Sequence, residues 1–118
     1  MQNKGDILII EDDLDIRNVV VDILKMEGLA TAVADNGAEA LIYLKTHKKP
    51  CMVFLDMMMP VMNGRQFLDI FRNQPGNADV PVVILSAVAD RVDTTGANEF
   101  IKKPLDLNRL LEVVSKYC

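Results

Sequence analysis

The chain has 118 residues, half of them hydrophobic and a quarter charged, with a net charge of −4. That length fits one domain with one core, 1–118, and no apolar run approaches the roughly 20 residues that cross a bilayer. The acidic balance argues against direct nucleic-acid binding by this domain, and an N-terminus without an apolar h-region makes a cytoplasmic protein the expectation.

Ile7–Ile10 is continuously apolar, as a strand buried on both faces reads. Glu11 and Asp12 follow it, and Asp13 is a good cap for a helix carrying Ile16, Val19, Val20, Ile23 and Leu24. Gly28 closes that helix. Leu29–Ala34 is small and mixed, which suits an edge strand. Asn36 with Glu39 makes a capping-box-like start for a helix with Ala40, Leu41 and Leu44. Lys45, His47, Lys48 and Lys49 then read as a solvated helix end.

Met52–Leu55 is a second buried strand, ending at Asp56. The methionines at 57, 58, 59 and 62 read as packing residues rather than a soft-metal cluster. Asn63 with Gln66 caps a helix carrying Phe67, Ile70 and Phe71, which Pro75-Gly76 ends. Val80–Leu85 is a third buried strand, with Ser86 at its end. Glu99–Lys102 is a charged edge strand followed by Lys103, and Asp106 caps a last helix with Leu107, Leu110, Leu111 and Val114. The two cysteines, Cys51 and Cys118, are expected to be free thiols in a reducing compartment.

This alternation predicts a flavodoxin-like, doubly wound α/β fold of five β-α units. Its parallel sheet has the order 2-1-3-4-5 and its switch point lies between strands one and three. Glu11, Asp12, Asp56, Ser86 and Lys103 then share the C-terminal rim of the sheet. Three carboxylates so close repel unless a cation binds or one takes a proton. Oxygen ligands suit Mg2+, which takes one or two carboxylates together with phosphate oxygens. Lys103 and the Ser86 hydroxyl would stabilise a phosphoryl group arriving at Asp56. No nucleotide-binding loop is present, so the phosphoryl donor comes from elsewhere.

Four segments, Ile7–Arg17, Leu55–Gly64, Leu85–Ala87 and Phe100–Pro104, together resemble the signature segments of a response regulator receiver domain, in order and over essentially the whole chain. The resemblance implies that Asp56 is the phosphoacceptor. It implies that Glu11, Asp12, Asp56 and the backbone carbonyl of Met58 hold Mg2+. Ser86 matches the switch hydroxyl, Phe100 the rotating aromatic and Lys103 the phosphoryl-binding lysine, with a cis Lys103–Pro104 bond. The implied partners are a sensor histidine kinase or histidine phosphotransfer protein, and a downstream protein or fused output domain. The domain itself would be a monomer or weak dimer, away from the membrane, with no independent substrate turnover.

Only Ala87 to Thr95 separates Ser86 from Gly96, so a shortened fourth helix is expected, roughly one to one-and-a-half turns below the family pattern. That implies a divergent output surface. Apolar Met58 and Val88 imply a long-lived phosphoaspartate. Three rival readings carry less. A haloacid-dehalogenase phosphatase resembles Asp-x-Asp, where this chain has Met58. A flavodoxin-like cofactor carrier needs a phosphate-cradling loop in place of the three acids after strand one. A receiver-like binding module without phosphorylation leaves Asp12, Asp56 and Lys103 unexplained.

Overall fold

A computed structural model describes residues 5–87 and 93–118. The elements are β1 (Ile7–Ile10), α1 (Leu14–Met26), β2 (Thr31–Ala34), α2 (Gly37–Thr46) and β3 (Val53–Asp56). They continue with α3 (Gly64–Asn73), β4 (Val82–Ser86), β5 (Glu99–Lys102) and α4 (Leu107–Tyr117). All strand pairs are parallel and the sheet order is β2-β1-β3-β4-β5, as the sequence predicts. Of the five helices expected, four fall among the described residues. The expected shortened fourth helix, with Val88, lies largely in 88–92, outside them.

Burial on both faces explains the unbroken apolar strands. Leu8, Ile10, Val53, Leu55, Val82 and Ile84 point into one core with Ala40 of α2 and Phe67, Leu68 and Phe71 of α3. Their neighbours Ile7, Ile9, Phe54, Val83 and Leu85 point into the other with Val20 and Leu24 of α1 and Leu110, Val113 and Val114 of α4. Successive residues of one strand thus serve opposite layers, so each must be apolar. Met57 and Met59 are buried at the first core, which matches their reading as packing residues.

The helix ends follow their sequence signals closely. Asp13 accepts hydrogen bonds from the amides of Asp15 and Ile16, and Asp106 does the same for Asn108 and Arg109. Asn63 and Gln66 form a complete capping box. At α2 the box is displaced: Asn36 accepts from the Glu39 amide, but the Glu39 carboxylate reaches the amide of Asp35. The amides of Gly28 and Leu29 bond back to the carbonyls of Lys25 and Leu24, with Gly28 at φ +77°. This closing turn takes Leu29 out of β2, which starts at Thr31 rather than Leu29.

Two polar clusters lock the far side of the sheet. Arg72 at the end of α3 donates to the carbonyls of Asn77, Val80 and Gly96 at 2.8, 2.7 and 2.9 Å and to Asn98 Oδ1 at 3.1 Å. One guanidinium fork thereby joins the approaches to β4 and β5. On the opposite layer, Glu99 of β5 accepts from Lys116 Nζ and Tyr117 Oη of α4, each at 2.7 Å, and from Arg109 at 3.0 Å.

The expectation of free thiols is corrected. Cys51 and Cys118 are joined in a disulfide with their Cα atoms 6.1 Å apart. They are 67 residues apart in sequence, but α4 brings the chain back beside the start of β3. Local sequence carries no trace of that return.

The Lys116 ammonium, with the Tyr117 hydroxyl and Arg109, holds the Glu99 carboxyl at about 2, below its ordinary 4.5. A carboxyl depressed by folding stabilises above its unfolded value, and that stability is lost as pH falls from about 4.5 to 2. Urea unfolding at pH 7, 4.5 and 2.5 should show Glu99→Gln less stable than wild type at pH 7, with the gap closing toward pH 2.5. A constant gap across the series would refute the linkage.

Candidate functional site

β1 and β3 lie side by side in register, Ile10 opposite Leu55, and both run out at the same rim. Glu11 and Asp12 therefore leave β1 where Asp56 ends β3. Ligand oxygens of these three residues all lie within 4.8 Å of one another. Glu11 and Asp56 are buried, whereas Asp12 is exposed. β4 ends alongside, with buried Ser86 opposite Lys102 of β5. The Lys103 amide donates to the Ser86 carbonyl at 2.8 Å, holding the lysine over the rim. The following Lys103–Pro104 peptide is cis.

Lys103 is the cation within the acidic group. Its Nζ stands 2.8 Å from Glu11 Oε1 and 3.5 Å from Asp56 Oδ1. Burial alone would lower this ammonium, but the Glu11 and Asp56 carboxylates outweigh it and raise it, so it stays charged. Glu11 Oε1 is fully buried, and its partner is this Lys103 ammonium. Glu11 Oε2 accepts from the Asp13 amide at 3.2 Å.

Asp56 feels the crowding most. Burial, then contact with Glu11, pushes its carboxyl up to about 6, against the opposing pull of the Met58 amide and Lys103. The Met58 N–H donates to Asp56 Oδ1 at 3.2 Å, leaving the Met58 side chain 74% exposed. Burial and Asp56 also raise the Asp12 carboxyl. An all-oxygen donor set and three carboxylates against one ammonium together fit a hard divalent cation such as Mg2+. They do not fit a soft metal.

The loop after Asp56 contains features that sequence reasoning passed over. The Met62 amide donates to the Pro60 carbonyl at 2.7 Å around Val61, which sits at φ +67°. This tight turn places a β-branched residue in a conformation it rarely adopts, the kind of strain that concentrates at functional sites. The Gly37 amide bonds to the Met62 carbonyl at 3.2 Å, tying the loop to α2. Gly64 comes closest to the site: a Cβ there would stand 2.6 Å from the Asp56 carbonyl oxygen and 2.7 Å from Met57 Cα. A glycine four residues after Pro60 signals a turn or a helix start, but this contact across two elements has no local signature. Asp13 and Asp15 remain outside the acidic group as helix-start residues. Phe100 is half-buried in β5, packed against the core of α2 and α3.

The model of the response regulator receiver domain matches residues 7–115. An uncharacterized 14.6 kDa protein of Leptolyngbya boryana is 33% identical, over 96% of this chain and 89% of that protein. The DNA-binding response regulator MtrA of Mycolicibacterium paratuberculosis is 34% identical over 89% of this chain, which covers 47% of MtrA. Among solved structures, the signal receiver domain of a Syntrophus aciditrophicus signal transduction histidine kinase superposes with TM-score 0.85 at 30% identity, covering 96% and 89% of the two chains. The receiver domain of sensor histidine kinase PA1611 from Pseudomonas aeruginosa, with magnesium coordinated in its active-site cleft, shares the fold at TM-score 0.88 and 22% identity, with 97% of each chain covered.

The two backbone contacts at Gly64 leave a side chain no space without moving the loop that follows Asp56. Gly64→Ala should cost about 2 kcal/mol, as overpacking against backbone does. The urea midpoint measures this, and a loss below about 0.5 kcal/mol would show that the loop yields freely.

Proposed function

Because this chain belongs to the response regulator receiver domain family, we propose that Asp56 accepts a phosphoryl group in a Mg2+-dependent reaction. The observation that carries the reading is Asp56 held at a strand end between an acidic pair and Lys103. Glu11, Asp12, Asp56 and the Met58 carbonyl are the residues that would hold the metal. When bound, Mg2+ supplies positive charge that lets the carboxylates and a phosphoryl group share one site.

The chain's own residues have distinct tasks. The Asp56 carboxylate attacks the phosphorus of a phosphohistidine on a sensor kinase or phosphotransfer protein. A P–O bond forms, the P–N bond breaks, and the imidazole leaves and takes up a proton. With its carboxyl near 6, Asp56 is mostly ionised at pH 7 and available as the nucleophile. Lys103, already at the rim, meets the incoming phosphoryl oxygens. Burial and the Met58 amide, which donates to Asp56 Oδ1, hold the Asp56 carboxylate in one orientation.

The product adds about −1.5 to −2 charges at a rim already rich in anions. Those oxygens compete with Glu11 for Lys103 and draw the Ser86 hydroxyl inward, and Phe100 turns into the space that opens. Shifting such a switch from 1:99 to 99:1 needs about 5.5 kcal/mol of differential interaction. The listener is a separate protein or an output domain joined to this one. The whole chain, 1–118, acts as one cytoplasmic signalling domain, a monomer or weak dimer without substrate turnover of its own. MtrA is a DNA-binding response regulator of which this chain covers 47%, and this acidic domain itself makes no direct nucleic-acid contact.

Intact mass after incubation with acetyl phosphate should show one added phosphoryl group in the presence of Mg2+ and none in its absence. Asp56→Asn should remove it. No gain under conditions that label a known receiver would point instead to a binding module that works without phosphorylation.

Metal binding can be read without phosphorylation. In metal-free protein the Asp56 carboxyl carbon should titrate near pH 6 by NMR. A bound cation favours the ionised form, so saturating Mg2+ should move that midpoint down. An unmoved midpoint would rule out Asp56 as a ligand.

A further inference from the structure

At the rim opposite Asp56, the Cys51–Cys118 bond joins the end of α4 to the residue that leads into the buried start of β3. We propose that this bond is a thiol–disulfide exchange site, opened by a dithiol reductant, whose reduction frees the last turn of α4. Exposure sets the direction of attack. Cys118 is exposed and Cys51 half-buried, which makes Cys118 the residue a reagent meets first. Three clefts flank the bond. One, of about 310 Å³, has Cys51, Lys49, Asp79 and Tyr117 in its wall. A second, of about 230 Å³, has Cys51, Cys118 and Leu29, and a third, of about 330 Å³, has Cys118, Ser115 and Leu29.

What holds the two cysteines differs sharply. The Cys51 amide donates to the Asp6 carbonyl at 3.2 Å, and Met52 beside it is fully buried, so this side is fixed by the sheet. The last turn of α4 has Ser115, Lys116 and Cys118 exposed and Tyr117 half-buried. Beyond the disulfide, it is held by the Glu99 contacts of Lys116 and Tyr117, by Tyr117 packed against the core under α4, and by the Cys118 amide bonded to the Val114 carbonyl at 2.8 Å. Cutting the bond therefore loosens α4 rather than β3. In a reducing compartment a disulfide with this accessibility is transient or sensing rather than permanent.

The exchange balances as two electrons and two protons. A reductant thiolate attacks Cys118 Sγ, the S–S bond breaks, and Cys51 leaves as a thiolate that takes a proton. The second thiol of the reductant then attacks the reductant's own first sulfur, releasing Cys118 and leaving the reductant as its disulfide. This bond and Asp56 lie at opposite ends of β3, so the exchange stands apart from the phosphoacceptor chemistry.

The test is alkylation with iodoacetamide and intact mass on the folded, air-oxidised protein, before and after dithiothreitol without denaturant. Hydrogen exchange of residues 113–118 is followed in both states. The expected result is no alkylation before reduction, two groups after it, and exchange of the last α4 turn about tenfold faster with β3 unchanged. Cys118→Ser should exchange at the fast rate without reductant. Two alkylated cysteines before reduction, reduction only in denaturant, or identical exchange in both states would each overturn the proposal.

Discussion

Three carboxylates are pressed together at a single rim because the ladder between β1 and β3 leaves them nowhere else to go, and Lys103 joins them from the end of β5. With Ile10 opposite Leu55, the next residues of both strands must emerge side by side. Lys103 offsets only part of that charge, and the cost appears as an Asp56 carboxyl pushed up to about 6. The rim is thus stable enough to fold but unsatisfied electrostatically. A site in that condition responds strongly to a cation or to a change of charge on Asp56.

The remainder of the molecule makes that crowding tolerable. Two apolar layers clamp the sheet from both sides, so the strand ends cannot drift apart to relieve repulsion. The loop after Asp56 is closed by three close backbone arrangements: the turn at Val61, the bond from Gly37 to Met62, and the approach of Gly64 to the Asp56 carbonyl. Polar ties gather on other parts of the frame. Arg72 fastens the connections into β4 and β5, while Glu99 and the disulfide fasten α4. Rigidity surrounds the site, and a mobile charge balance sits inside it.

Much of this was legible in the residues. Unbroken apolar runs mark strands covered on both faces, and the capping residues Asp13, Asn36, Asn63 and Asp106 mark helix starts within a residue. The strand order follows from which runs are mixed or charged. The displaced box at α2 and the later start of β2 depend on how neighbouring turns share hydrogen bonds, which local patterns do not specify. The Cys51–Cys118 pair is not legible there because cysteine number and spacing are weak guides beside a three-dimensional return of the chain.

By itself the sequence determined the kind of fold, the rim at which the chemistry-bearing side chains meet, and the family to which the chain belongs. Hydrophobic period and motif order are properties of neighbouring residues, and they survive without coordinates. Only the tertiary structure decided that Lys103 sits against Glu11 as well as Asp56, that Gly64 touches the Asp56 backbone, and that two distant cysteines close at the opposite rim. Those facts depend on distances between segments far apart in the chain, set by packing of both layers against the sheet rather than by any local preference.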